Sequence, residues 1–172
     1  MPALNPMRIV DAILANALRG HAVVLAVVGD ASRIQIWDQV IDPVDMSKAG
    51  AIGARVWIAP IKTPMQLGDS NSSARVTFWY RIGFAAGTQS IDDVRRLQLP
   101  IYNALGLLYV FKGPDGTSFN AGTVASPFIL DTVEISDCDV EREVAGDGPL
   151  EWQTLCDVAL HCRIALEDLA VP

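Results

Sequence analysis

Strict alternation of apolar and polar residues over two long segments constrains the fold of this chain more than any other feature. In the segment 74–86, every second residue is apolar: Ala74, Val76, Phe78, Tyr80, Ile82 and Phe84. In the segment 150–167, one parity holds Trp152, Cys156, Val158, Leu160, Cys162, Ile164 and Leu166, interrupted only by Thr154. Successive side chains of a strand point to opposite faces, so each segment predicts a strand with one face on a core and the other in water or against a partner.

The second of these segments also belongs to a predicted hairpin. A long extended run from Pro127 to Val144 precedes it, and Ala145-Gly146-Asp147-Gly148-Pro149 joins the two, which is a β-hairpin signal. Both runs exceed the usual five or six residues of a strand. The connection and its flanks are rich in charge, so we expect the tip, residues 138–150, to project beyond the core.

Helical signals lie in the first third and in the middle of the chain. Asn5-Pro6 is typical of a helix start, and Ile9, Val10, Ile13, Leu14 and Leu18 then recur at helical spacing. The segment 21–28 predicts a second short helix or a buried strand, ended by Gly29-Asp30. Ser90 is a suitable N-cap for a helix from Ile91 to about Leu105, which Pro100 is expected to kink or divide.

Three shorter segments predict strands. They are Arg33 to Gln39, Ala54 to Ile61, and Leu107 to Phe111. We expect Pro60 and Pro64 to stop the second, because proline has no N–H for a strand ladder.

Length and the order of the predicted elements favour a single α+β domain over residues 1–172, with a mixed, largely antiparallel sheet, helices packed on one face and a long C-terminal β-hairpin. The 172 residues suit one core, and hydrophobic residues make up 51% against 19% charged, which excludes intrinsic disorder. So little charge leaves apolar surface for a neighbouring subunit. The net charge of −7 with scattered basic residues excludes a phosphate-gripping stripe, although an acidic surface lets DNA pass without sticking.

Cysteine usage and hydropathy bear on the compartment. The chain has three cysteines, Cys138, Cys156 and Cys162, without CxxC spacing, and we expect reduced core thiols in an intracellular protein. The longest apolar run, Ala22 to Val28, is far below the roughly 18 residues of a membrane helix, so no membrane span is predicted.

No reactive grouping is visible. The sequence shows no nucleophile with its base, no paired carboxylates of a pocket and no cluster of metal ligands. His21 and His161 are interpreted as structural or surface histidines. Asp137 and Asp139, with Glu134 and Glu141 nearby, are interpreted as solvated strand-end carboxylates rather than a cation site. We therefore predict no catalytic residue, no cofactor and no metal.

Aromatic residues beside arginines are consistent with a protein interface. Trp79 shares the polar parity of its strand with Arg75 and Arg81, and such combinations are enriched at interfaces. The alternative is that the tryptophan side chains pack beneath a helix. The alternation of residues does not favour either interpretation. The candidate subunit-interface residues are Trp37, Arg75, Trp79, Arg81, Glu141, Arg142 and Glu143.

The order of these elements resembles a known family. It comprises a helix with "DAILANAL", strands "RIQIW", "ARVWIAP" and "ARVTFWYRIGF", a helix "IDDVRRLQLPIYNALGLL" and a closing hairpin. Over nearly the whole chain this pattern is similar to the tail terminator and tail-completion (head-tail joining) proteins of long-tailed bacteriophages and related particles. The chain is longer than typical members, and its charged hairpin tip is more extended.

The resemblance implies a structural role in a virion. It implies a homo-oligomeric ring, usually of six copies, that caps the tail tube and joins it to the head connector or adaptor protein. DNA passes through the lumen without sequence-specific binding. The expected location is the tail or neck of the virion, after assembly in the bacterial host cytoplasm.

Two alternatives stay open. Another neck or tail component is the first, such as the tail tube subunit or a different head-tail joining protein. A small-molecule-binding module or an enzyme, with a pocket between helix and sheet, is the alternative from another class.

Overall fold

A computed structural model of the protein describes residues 6–36, 55–68, 73–85, 91–113, 119, 128–136, 139–144 and 150–165. The helices within these ranges are α1 (Pro6–Gly20), α2 (Ala22–Val28) and α3 (Ile91–Gly106). The strands are β1 (Ile34–Ile36), β2 (Arg55–Gly68), β3 (Ser73–Ala85), β4 (Phe128–Ile135), β5 (Asp139–Val144) and β6 (Leu150–Ala165).

The strands form one mixed sheet in the order β1-β2-β3-β6-β4. β1 runs parallel to β2, and the other pairings are antiparallel. β5 pairs with the first residues of β6, and β4 pairs with later residues along the same edge of β6. β3 pairs along the opposite edge of β6. The predicted fold class is confirmed: an α+β chain with a largely antiparallel sheet and a C-terminal hairpin formed by β5 and β6.

β3 at the centre of the sheet bears out the predicted alternation. Every second side chain of β3, from Ala74 to Phe84, is apolar and buried. The side chains at the matching positions of β6, from Thr154 to Ile164, are buried beside them. The helices cover this face. Tyr80 donates a hydrogen bond to Oδ1 of Asp11 on α1 at 2.7 Å, and both side chains are buried. Residues of α1, α2 and α3 join those of the sheet in one hydrophobic core.

α1 and α2 are joined at Gly20 and tied to the first strand. The segment that the sequence left as helix or strand is a helix, Ala22–Val28, and Gly29 ends it with φ 83°. The Arg19 guanidinium donates two hydrogen bonds to the carbonyl of Ile34, at 3.1 and 2.6 Å. A Cβ at Gly20 would collide with the ring of Phe111, so the close approach there requires glycine.

Pro100 does not divide α3, contrary to one form of the prediction. The helix continues from Ile91 to Gly106, with Pro100 inside it. Pro100, Ile101, Ala104 and Leu105 are buried, and burial of this face offsets the hydrogen bond that proline cannot make.

β2 also runs past two prolines, so the predicted stop at Pro60 and Pro64 is wrong. The strand extends to Gly68, with register shifts between Pro60 and Lys62 and between Lys62 and Met65. Beyond Ile58, β2 pairs only with β3 among the described residues, and an edge strand with irregular register tolerates proline.

Two further predicted strands are corrected. Leu107 to Phe111 forms a 3-10 turn, Leu108–Val110, rather than a strand, because Leu108 is buried three residues after Leu105 and continues the helical spacing of α3. The strand predicted from Arg33 begins one residue later, after a 3-10 turn over Ala31–Arg33 whose N-cap is Asp30. Residues 37–39 of that prediction lie outside the described residues.

The extended run predicted from Pro127 to Val144 contains two strands. The register shifts by one residue between Ile135, opposite Val158, and Asp139, opposite Leu155. Ser136 secures the break: its N–H donates to the carbonyl of Asp157 at 2.9 Å, and its Oγ accepts from the Asp157 N–H at 3.0 Å. Within the predicted tip, residues 138 and 145–149 lie outside the described residues.

The cysteines differ from the prediction of three reduced thiols. Cys156 is disulfide-bonded, whereas Cys162 is a buried free thiol. Disulfide pairing depends on which Cα atoms the fold brings to about 6 Å, and spacing along the chain does not reveal this. Burial, with a smaller effect of Asp131, raises the pKa of the Cys162 thiol to about 12.

Candidate assembly surface

The face of the sheet opposite the helices carries three of the predicted interface residues, Arg75, Trp79 and Arg81. Among the described residues it is only partly buried, in contrast to the sealed core face. We call it the open sheet face and define it by thirteen residues on the outward side of β2, β3, β4 and β6: Arg55, Trp57, Lys62, Arg75, Thr77, Trp79, Arg81, Gly83, Asp131, Glu134, Asp157, His161 and Arg163.

At one end of this face, an indole lies across a glycine. Trp57 of β2 stands opposite Gly83 of β3, and a Cβ at Gly83 would collide with the indole. Glycine therefore allows Trp57 to lie flat on the neighbouring strand. Glycine is required at position 83 because the Trp57 side chain approaches the backbone closely.

Arg81 and Asp157 form a two-pronged ion pair across β3 and β6. The Arg81 Nε donates to Asp157 Oδ1 at 2.7 Å, and its Nη2 donates to Oδ2 at 2.9 Å. These hydrogen bonds from Arg81 lower the pKa of the Asp157 carboxyl, burial opposes the shift, and the charges of Arg81 and Lys62 add to it. The two side chains stay 42% and 37% exposed, so solvent screens the pair.

Trp79 is the centre of the face. The Lys62 ammonium lies 4.4 Å from the centroid of its ring, a cation–π contact. The His161 imidazole meets the same ring edge to face, with centroids 6.4 Å apart and planes at 78°. Ala159, opposite Trp79 in the register, is buried beneath these groups. Trp79 therefore packs on the outside of the sheet and does not belong to the core.

His161 links three strands. Its Nδ1 lies 3.0 Å from Thr77 Oγ1, in a hydrogen bond whose donor depends on the tautomer. Its Nε2 lies 3.4 Å from Glu134 Oε1, within ion-pair distance, yet this buried nitrogen has no partner with hydrogen-bond geometry. A hydrogen bond weakens steeply when the donor hydrogen points away from the acceptor, so this contact is not a hydrogen bond. The contact with Glu134 is therefore electrostatic and depends on a protonated imidazole.

A second bidentate ion pair lies at the other end of the face. Arg163 Nε lies 3.0 Å from each Asp131 oxygen, and Nη2 lies 2.8 Å from Oδ1. Asp131 is the extra residue where the register of β4 on β6 shifts between Leu130 and Thr132. The bulge thus adds a carboxylate that a regular strand would not place there.

The structure brings together three of the seven predicted interface residues. Arg75, Trp79 and Arg81 lie along one side of β3. Trp37 lies outside the described residues. Glu141, Arg142 and Glu143 lie in β5, opposite Gln153, Trp152 and Glu151 of β6.

The sequence prediction of the interface missed five charged residues that surround Arg75, Trp79 and Arg81. They are Lys62, Asp131, Glu134, Asp157 and Arg163. The polar parity of β6 already places Asp157 and Arg163 outward. Their strand partners follow only from the register, which the connecting segments set.

The described residues contain no cluster of three or more His, Cys, Asp or Glu side chains suited to a metal ion. Of the carboxylates weighed as a cation site, Glu134 faces His161, and Asp137 lies outside the described residues. In the same ranges, no single helix is long and apolar enough to cross a membrane; α1 and α2 reach that length and hydropathy only together, bent by 81°.

Neither the models of known protein families nor the curated proteins contain a match to this sequence.

Proposed function

We propose that this protein is a structural subunit of a bacteriophage or phage-like virion, similar to tail terminators. In this proposal it forms a ring, usually of six copies, that caps the tail tube and joins it to the head connector. DNA passes through the ring. The protein makes or breaks no bond, and its function lies in its surfaces.

The open sheet face is the observation that carries the proposal. One side of the sheet is sealed by helices, while the other presents Trp57, Trp79 and two bidentate Arg–Asp pairs at the surface. Exposed ion pairs each contribute only about 0 to 1 kcal/mol to stability. Tryptophan and arginine, by contrast, are the residues that most often dominate binding energy at interfaces. A face of this kind suits contact with another subunit better than contact with water.

Ring formation requires a particular kind of interface. Subunits that join through two different surfaces form a closed ring when the rotation completes a circle, and an open filament when it does not. The open sheet face lies on one side of the sheet and the helices on the other, so the subunit has two unlike sides. The net charge of −7 supports DNA passage, because an acidic lumen repels phosphate.

Electron microscopy of the purified protein, alone and with its tail tube, tests the proposal. We expect closed rings, and one ring at one end of each tube. Open filaments of the protein alone would support the tail tube alternative instead. Strictly monomeric protein in both samples would overturn the proposal.

A further inference from the structure

β4 is joined to β6 by two side-chain contacts of unlike chemistry. It is the last strand in the described sheet order, and its backbone pairs with β6. On the open sheet face, Asp131 of β4 binds Arg163 of β6, and Glu134 of β4 lies against His161 of β6. An arginine stays charged at every ordinary pH, whereas histidine side chains change charge between about pH 5 and 8. The two contacts therefore differ in how they depend on pH.

His161 has one ring nitrogen with a hydrogen-bond partner and one without. Nδ1 lies 3.0 Å from Thr77 Oγ1. Nε2 is buried and has no hydrogen-bond partner among the described residues, although Glu134 Oε1 lies 3.4 Å away. A neutral imidazole carries one proton, so in either tautomer it presents no net charge to the carboxylate. A doubly protonated ring donates to Thr77 and places a positive charge beside Glu134. Proton uptake therefore makes the contact with Glu134 attractive.

The other charges of this face oppose one another. The bidentate pairs Arg81–Asp157 and Arg163–Asp131 each set a positive charge beside a negative one, so their fields at a distance partly cancel. Glu134, at 3.4 Å from the imidazole, therefore has the largest single effect on its proton. The acidic positions of β5 stand opposite residues 151–155, further along the sheet. The charged side chains on the outward side of β2, β3, β4 and β6 are Arg55, Lys62, Arg75, Arg81, Asp131, Glu134, Asp157 and Arg163.

We propose that His161 is a proton-dependent latch between β6 and the end strand β4. When the imidazole is protonated, it holds the Glu134 carboxylate. When the imidazole is neutral, Glu134, whose side chain is 66% exposed, turns into water, and the Asp131–Arg163 pair remains. The latch thus adds stability at mildly acidic pH, and this contribution is lost as the pH rises through the titration of the imidazole. It operates within one subunit and does not depend on the proposed ring.

Double-mutant cycles at two pH values test the latch. Glu134→Gln, His161→Gln and the double variant are unfolded in urea at about pH 5.5 and about pH 8. We expect a coupling that changes the unfolding equilibrium constant about 1.5- to 5-fold at the lower pH and disappears at the higher pH. The matched control is the cycle of Asp131→Asn and Arg163→Gln, whose coupling should be the same at both pH values.

Nuclear magnetic resonance of the His161 ring measures the same coupling without unfolding. The chain has two histidines, so His21→Gln leaves His161 as the single imidazole. In this background, Glu134→Gln should lower the proton affinity of His161 about 1.5- to 5-fold, because coupling between two bound groups is reciprocal. Asp92→Asn, at an exposed position of α3, should leave it unchanged. This measurement decides the question if His161→Gln fails to fold.

Three results would overturn the latch. They are a coupling of Glu134 with His161 that is equal at both pH values, no coupling at the lower pH, and an unchanged titration of His161 in Glu134→Gln. A coupling confined to the lower pH, together with the lowered proton affinity, supports it. None of these results depends on whether the protein forms rings or binds tail tubes.

Discussion

The two sides of β3 are held by different forces, although they belong to the same thirteen residues. On the core face, Phe78, Tyr80 and Phe84 are buried against helices, and apolar burial dominates. On the open sheet face, Trp79 and Arg81 lie half-buried among polar partners from two other strands, β2 and β6. Under the proposed function, the ordered polar contacts of the open sheet face serve contact with another subunit.

The reactivity of Cys162 gives the largest expected contrast. This thiol lies on the core face, and burial raises its pKa to about 12 from the ordinary 9.0. Its thiolate fraction at pH 8 is then about a thousand-fold smaller than for an exposed thiol. We expect iodoacetamide to alkylate Cys162 rapidly in urea and hardly at all in the folded protein, as measured by peptide mass spectrometry. Rapid labelling of the folded protein would show that the core face is not sealed.

Truncation of neighbouring aromatic residues compares the two faces directly. Phe78→Ala removes a fully buried ring and should lower the free energy of unfolding by about 3 to 5 kcal/mol. Trp79→Ala, one residue along, loses only a half-buried ring and its contact with Lys62, and should lower it by about 1 to 2 kcal/mol. Urea unfolding measures both. Equal losses would remove the distinction between the faces.

Gly83→Ala tests the close packing of the open sheet face. The new methyl group collides with the Trp57 indole, and we expect a loss of about 1 to 3 kcal/mol in the free energy of unfolding. Trp57→Ala in the same chain removes the collision. Gly83→Ala should therefore be much less destabilising in that background than in the wild type. A loss that is the same in both backgrounds would mean that the indole does not lie over Gly83.

The Arg81–Asp157 pair should have the smallest effect on stability. Hydrogen bonds from Arg81 hold the folded pKa of Asp157 below its ordinary 3.8. The pair therefore stabilises the fold above about pH 4, and this contribution is lost as the pH falls through the lowered pKa. Because both groups are over one-third exposed, Asp157→Asn should cost at most about 1 kcal/mol at pH 7. A loss of several kcal/mol in urea unfolding would assign the pair a structural role.

The sequence predicts the central part of the fold because its signals are periodic. The apolar parity of Ala74 to Phe84 and that of β6 lead directly to the buried face of the sheet. Deviations occur where packing overrides a local rule. β2 continues through Pro60 and Pro64 because it lies at an edge, and Leu108 continues the spacing of α3 where a strand was expected.

The candidate surface is only half predictable for a related reason. Trp79 and its arginines are visible as one polar parity, but the partners come from distant parts of the chain. Arg81 meets Asp157 across 76 residues and His161 meets Thr77 across 84. Such pairs depend on register, and a shift of one residue would turn every partner to the other face.

The position of β6 in the chain has a consequence for synthesis. β6 follows every other described strand, yet β3, β4 and β5 all pair with it. While the ribosome is still adding these residues, β3 has no partner on that side, and an unpaired strand edge is a template for pairing with other chains. The sheet can close only once β6 has emerged, and until then the edge of β3 is open to pairing with other chains.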